Sequence, residues 1–199
     1  KGIKWRLTGI QQLVRQGFQG SAVWQGYPLA YATLDLGTPL PIRNSSIWLR
    51  TATGTAAGSR DDPFANFFFG GFGNNGVDYR EVKRYRGYDA FPGSALNEIG
   101  GHNFAKTTVD WSLPALRFRR VGVLPFYASY ARLGIFGSGL VTNLDDTTSR
   151  RKLASAGAQV DIRFQLLTMQ PLTLSTGYAR AFERGYLPTS EWMVSLKIL

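Results

Sequence analysis

Thirteen consecutive residues, Ala154 to Leu166, keep a two-residue period without a slip. One side reads Ala154, Ala156, Ala158, Val160, Ile162, Phe164 and Leu166; the other reads Ser155, Gly157, Gln159, Asp161, Arg163 and Gln165. A period of two belongs to an extended strand, because successive side chains point to opposite faces. Phe104 to Leu113 repeats the pattern, with Ala105, Thr107, Val109, Trp111 and Leu113 against Lys106, Thr108, Asp110 and Ser112. So do Leu172, Leu174, Thr176 and Tyr178, and, at the end of the chain, Trp192, Val194, Leu196 and Ile198. A strand in lipid needs one apolar face and tolerates a polar one only toward a lumen, which is the pattern of a transmembrane β-barrel.

A soluble β-sandwich also alternates, with one face in the core and one in water. Strand length and inner-face charge argue against it here. The regular runs are about 9 to 13 residues, long for a sandwich and suited to a tilted membrane crossing. Lys, Asp, Arg and Gln sit in mid-strand. No stretch of roughly 20 uninterrupted apolar residues exists, so transmembrane helices are not expected. The 23 Gly, 13 Phe, 9 Tyr and 5 Trp among 199 residues fit many strands joined by turns and ending in aromatic girdles.

Eight strands are expected, centred near Ile3 to Gln11, Leu29 to Leu36, Ser46 to Thr55, Phe104 to Leu113, Leu124 to Ile135, Leu153 to Leu166, Leu172 to Phe182 and Trp192 to Leu199. The whole chain reads as one barrel domain. Ala56 to Asn103 separates the third strand from the fourth, far beyond a hairpin connection, and loops of that length are usually functional.

The loop contains Pro63-Phe64-Ala65-Asn66-Phe67-Phe68-Phe69-Gly70-Gly71, then Tyr85-Arg86-Gly87-Tyr88. After it come Gly100-Gly101, Val109-Asp110-Trp111-Ser112-Leu113-Pro114, Phe126-Tyr127-Ala128-Ser129-Tyr130-Ala131, Ser155 to Val160, and Tyr178-Ala179-Arg180-Ala181-Phe182. In this order the motifs resemble the C-terminal half of bacterial surface-antigen, BamA-type outer-membrane assembly and translocation barrels. The resemblance implies strands nine to sixteen of a sixteen-stranded barrel, with the loop folded back into the lumen and its Arg-Gly-aromatic tip, Arg86, Gly87 and Tyr88, locked there. It further implies a terminal assembly signal on Trp192, Val194, Leu196, Ile198 and Leu199, where Leu199 departs from the usual aromatic. The family's second acidic partner is replaced by Ser129.

Elementary chemistry supports one pair in that lock. A guanidinium drawn into a lumen needs a carboxylate, and its planar fork suits one. Arg86 is therefore expected to meet Asp110, with Asp161 as a second candidate partner. Gly87 would allow a tight tip, and Tyr88 would pack its ring while its hydroxyl finds a partner. A complete eight-stranded barrel is the rival count, but its narrow interior would hardly admit such a loop.

Little in the chain points to catalysis. It has no Cys and one His, His102, beside Gly101 and Asn103 at a strand start. No acyl-transfer constellation or metal-ligand spacing is present, and Gly70-Gly71-Phe72-Gly73 lacks the Lys-Ser/Thr of a phosphate loop. Neither enzyme activity, metal nor cofactor is expected. The net charge of +10 is scattered rather than gathered in an arm, which favours anionic lipid and lipopolysaccharide over nucleic acid as partners. The opening Lys1-Gly2-Ile3-Lys4-Trp5 has neither initiator Met nor apolar leader, and reads as a mature product or fragment. The expectation is a barrel of the bacterial outer membrane that inserts or translocates proteins, alongside other envelope proteins or a missing N-terminal half. A structural anchor for a periplasmic or surface domain is the alternative, and an unplugged passive pore a third reading.

Overall fold

A computed structural model of the chain describes residues 2–18, 21–42, 44–73, 84–123, 126–166 and 170–198. Over these it is all-β, with two single 3-10 turns at Pro63–Ala65 and Arg84–Arg86. The strands are β1 (Gly2–Phe18), β2 (Ser21–Pro39), β3 (Ser46–Ala56), β4 (Phe67–Phe69), β5 (Ile99–Gly101), β6 (Asn103–Ser112), β7 (Leu116–Val123), β8 (Phe126–Thr142), β9 (Arg151–Leu166), β10 (Gln170–Glu183) and β11 (Thr189–Ile198). One antiparallel sheet runs β1-β2-β3-β6-β8-β9-β10-β11, with β7 paired to β8 beside that path. β4 and β5 form a separate hairpin-like pair within the long loop.

The eight runs read from the sequence all fall on strands of the main path, although Leu124 and Leu199 lie outside the described residues. Several features differ: β1 runs on past Gln11 to Phe18, and β4 and β5 pair inside the stretch read as loop. β2 is 19 residues long, far more than Leu29 to Leu36, because its upper half pairs with β1 through residues that do not alternate cleanly. The run expected to end at Ile135 continues to Thr142, through Gly137 and Gly139, which break the apolar count without breaking the ladder. β7 was not expected, since Pro114 interrupts the run after β6. Proline cannot donate to a ladder, so the chain resumes as a second short strand, and both segments pair with β8.

Register makes the sheet two-faced. On one face, cross-strand neighbours run Asp35, Arg50, Thr108, Ser138 and Ser155. Three residues along, on the other face, they run Ile47, Trp111, Ile135, Ala158, Tyr178 and Trp192. The second face stays open to the surroundings, with Ile3, Trp5, Leu7, Val109, Trp192, Val194 and Leu196 all exposed.

The first face is covered by the long loop. Phe67, Phe69, Phe91 and Ile99 of the loop are buried with Tyr27, Leu29, Phe104, Leu140, Leu153 and Ala181 of the strands. Phe104 is the hub, meeting Phe67 and Phe69 edge-on at 4.9 and 4.7 Å between ring centres. Each such ring removed from water contributes about 1.5–3 kcal/mol. A second cluster joins loop residues Phe72 and Tyr85 to Phe136, Ala179 and Met193.

The sheet curls around the loop. Tyr88 stacks on Tyr31 of β2, while Gly93 bonds to Glu191 of β11. Those strands are six spacings of about 4.8 Å apart along the sheet, and the loop reaches both with five residues of chain and the side chains at either end. β1 and β11 are the two edges, and no pairing joins them among the described residues.

Candidate functional site

The loop is fastened to the inner face at two places, one on β6 and one on β9 to β11. At the first, Asp110 projects from β6 with its side chain wholly buried. Arg86, from the second 3-10 turn, brings Nη2 to 2.5 Å from Asp110 Oδ2 as an ion pair, and donates a hydrogen bond to Ser112 Oγ at 3.1 Å. The Tyr85 hydroxyl donates to Asp110 Oδ1 at 2.7 Å, and its ring stacks on Phe136 at 4.2 Å. Arg50 of β3 stands 3.8 Å from Asp110 Oδ2 and 2.6 Å from Asp35. The result is an alternating row, Asp35, Arg50, Asp110, Arg86, whose formal charges cancel. A buried carboxylate is tolerable only when so compensated.

Burial, and then the Asp110 charge, push the Tyr85 phenol far above its ordinary range. It therefore remains a proton donor to Asp110 throughout physiological pH. Burial, with Tyr31 and Asp89 nearby, pushes Tyr88 up to about 12.

Next to this row, Lys106 is buried and donates to the carbonyls of Gly87, at 2.8 Å, Tyr88, at 3.1 Å, and Ala90. All three ammonium protons are used, and the loop backbone is drawn onto β6 just beyond Arg86.

The second fastening centres on Gly93. Its N–H donates to Glu191 Oε2 at 3.0 Å, while Phe72 N–H donates to Oε1 of the same carboxylate at 3.2 Å. Thr189 Oγ1 donates to the Gly93 carbonyl at 2.6 Å, and Ser155 Oγ donates to the Pro92 carbonyl. Gly93 has φ +99°, and a Cβ there would lie 2.4 Å from the Ala181 backbone nitrogen. Loop backbone rests directly on strand backbone here, so glycine is required both for conformation and for space.

The structure thus brings together Arg86, Gly87, Tyr88 and Asp110 of the residues singled out from sequence. It keeps Ser129 and Asp161 apart from them. Ser129 occupies a β-bulge in β8 and donates to the Arg163 carbonyl at 3.0 Å. Asp161 accepts from Gln159 Nε2 at 2.6 Å and faces Arg132 across the ladder. Gly87 has no left-handed backbone, and a Cβ there would crowd only the Asp89 side chain, so the tight-backbone requirement lies at Gly93 instead. Of the terminal strand, Trp192, Val194 and Leu196 face outward, Ile198 pairs through its backbone with Leu172, and Leu199 lies outside the described residues.

Sequence reasoning missed Lys106, Tyr85, Arg50 and Glu191 as fastening residues. Three of them are charged side chains on the polar face of a strand, and a loop folded onto that face must neutralise or hydrogen-bond each. That requirement was the available signal.

The inner face is not filled completely. A cavity of about 600 Å³ opens beside Arg86 and Tyr88, bordered by Lys4, Arg6, Asp35 and Arg50. His102 is engaged through Nδ1 with the Ala65 carbonyl at 3.0 Å. Among the described residues, no three His, Cys, Asp or Glu side chains are grouped to hold a metal. Compared with known proteins, the chain matches no family model, no curated protein and no solved structure.

Proposed function

We propose that this chain forms a wall of a transmembrane β-barrel in the bacterial outer membrane, one that inserts or translocates other proteins with its long loop locked in the lumen. The observation that carries the reading is the two-faced sheet, apolar and exposed outside, polar and covered by the loop inside. On β9 the outward side chains from Ala154 to Phe164 carry no charge. That run measures about 33 Å along the strand, or about 25 Å at a tilt of about 40°, the height of the apolar band of such barrels. The unpaired edges of β1 and β11 favour a wall completed by further strands over a closed eight-stranded barrel. A sixteen-stranded barrel, of which this is the C-terminal half, accommodates the loop without crowding. Partners are outer-membrane lipid, lipopolysaccharide and other envelope proteins, and no cofactor is called for.

Sheet edges offer unpaired amides and carbonyls that template an incoming strand. Insertion on this principle needs no covalent chemistry. A structural anchor for a larger periplasmic or surface domain is the second reading, favoured by the double fastening of the loop, which suits a permanent plug. The two differ in one assay: the rate at which an unfolded β-barrel client becomes protease-resistant in vesicles containing the protein. Acceleration over protein-free vesicles supports insertion. An unchanged rate, with the protein itself embedded, leaves the anchor.

A further inference from the structure

Ionisable residues on the outward face are distributed unevenly. Every acidic side chain on the main-path strands faces inward: Asp35, Asp110, Asp161, Glu183 and Glu191 all share the inner register. Basic ones do appear outside. On β9 and β10, Lys152 and Arg180 occupy outward positions, and Arg184 begins the turn after β10. All three are exposed.

They also converge. Leu153 and Glu183 form the last rung of the β9–β10 ladder, and Lys152 and Arg184 are the residues next beyond it on the two segments. Arg180 lies farther down β10, but its guanidinium is 5.8 Å from the centre of the Phe182 ring, two residues nearer the turn. Its stem therefore runs upward along the apolar face and delivers the charge toward the other two, as a long side chain does at a lipid boundary. Directly below, Tyr178 and Trp192 pair at 4.7 Å, and the apolar rows begin.

Three like charges brought together at one place repel one another. The neighbouring carboxylate cannot offset them, because Glu183 points inward and is held by two nitrogens of Arg151 at 2.9 and 2.8 Å. An anion from outside the chain would offset them. Placed just above an aromatic pair at the end of an apolar face, that anion belongs to a lipid headgroup.

We infer that Lys152, Arg180 and Arg184 form a binding site for the phosphate of a phosphorylated glycolipid in the leaflet at the loop end of the sheet. The guanidiniums supply forked hydrogen bonds to phosphate oxygens and Lys152 a point charge, while Phe182, Tyr178 and Trp192 take the upper acyl chain. The inference rests on the membrane reading above.

Its test is lipid A binding in neutral detergent by the whole protein, compared with the Lys152→Ala/Arg180→Ala/Arg184→Ala variant. Affinity should fall about fivefold for each cation and roughly a hundredfold for all three, and should weaken with added salt. Arg15→Ala, an outward cation on the distant β1–β2 hairpin, should leave it unchanged. Embedding of both proteins in phosphatidylcholine vesicles is followed in parallel by quenching of tryptophan with brominated lipid. If the triple variant embeds and binds lipid A as tightly as the wild type, the site is wrong while the membrane reading stands. If the wild type fails to embed, the membrane reading falls and takes the site with it.

Discussion

Asp110 is wholly buried, and Arg86, Arg50 and the Tyr85 hydroxyl surround its carboxyl group. Removing one member of a buried pair typically costs about 3–5 kcal/mol, because the other is left uncompensated. Arg86→Ala and Asp110→Ala should each lower resistance to denaturant by that order, and the double variant by clearly less than the sum. Additive losses in a double-mutant cycle would dissolve the pair. Lys106→Met keeps the aliphatic stem but leaves the carbonyls of Gly87, Tyr88 and Ala90 without a donor, at about 1–3 kcal/mol for each unsatisfied group. Trypsin should then cut after Arg86 faster than in the wild type; an unchanged rate would mean that Lys106 does not hold the loop down.

Among elements, the loop's two fastenings can be tested separately. Gly93→Ala forces a Cβ against the Ala181 backbone in a left-handed conformation, a strain of about 1–3 kcal/mol or more, and should raise hydrogen exchange at Phe72 and Gly93. Gly87→Ala meets only a side chain and should cost less than about 1 kcal/mol; an equal loss at both sites would refute this ranking. A third attachment lies outside the wall, where Arg60 of the loop bonds to Asp145 and to Asp146, the latter at 2.7 Å, in the β8–β9 turn. Asp145 is held below the ordinary carboxylate range, first by Asn103 and also by Arg60; Asp146 likewise, first by Ser149, then by the Thr148 amide and Arg60. Depressed values mean that this attachment is fully present above the ordinary value of 3.8 and is lost as pH falls through the lower, folded-state values. Protease cleavage after Arg60 should therefore rise under strong acid and stay flat from mildly acid to neutral pH. These elements also mark how far the sequence is legible. Strict alternation locates β6, β9, β10 and β11, because period two is a property of neighbours in the chain. Which side chain meets which across the inner face is not such a property. Asp110 could be paired with Arg86 by charge type alone, whereas Ser129 sits in a bulge that slips the register by one, and alternation cannot foresee that slip.

For the whole molecule, the five tryptophans report on the two faces. Trp5, Trp111 and Trp192 stand outward, Trp24 is exposed at the upper end of β2, and Trp48 lies inward across Gly37 with Arg50 over its ring. In vesicles, single-tryptophan variants retaining Trp5 or Trp192 should be strongly quenched by brominated lipid and the one retaining Trp48 hardly at all. Equal quenching would contradict a lipid-facing and a lumen-facing side. The long loop was visible from sequence by length alone, but its second fastening was not, since Glu191 and Gly93 are 98 residues apart in the chain and meet only once the sheet has curled.

That loop joins β3 to β6, and β3 and β6 are already hydrogen-bonded to each other along their whole length. The connection therefore bridges two staves that touch without it. Withdrawn from the inner face, it would break no rung of the ladder; it is a stopper on a tether, and the sheet keeps its pairing when the stopper is out. Wall and stopper can then melt as distinct cooperative units, the stopper first, and a calorimetric trace should carry two transitions, of which Arg86→Ala and Gly93→Ala displace only the earlier.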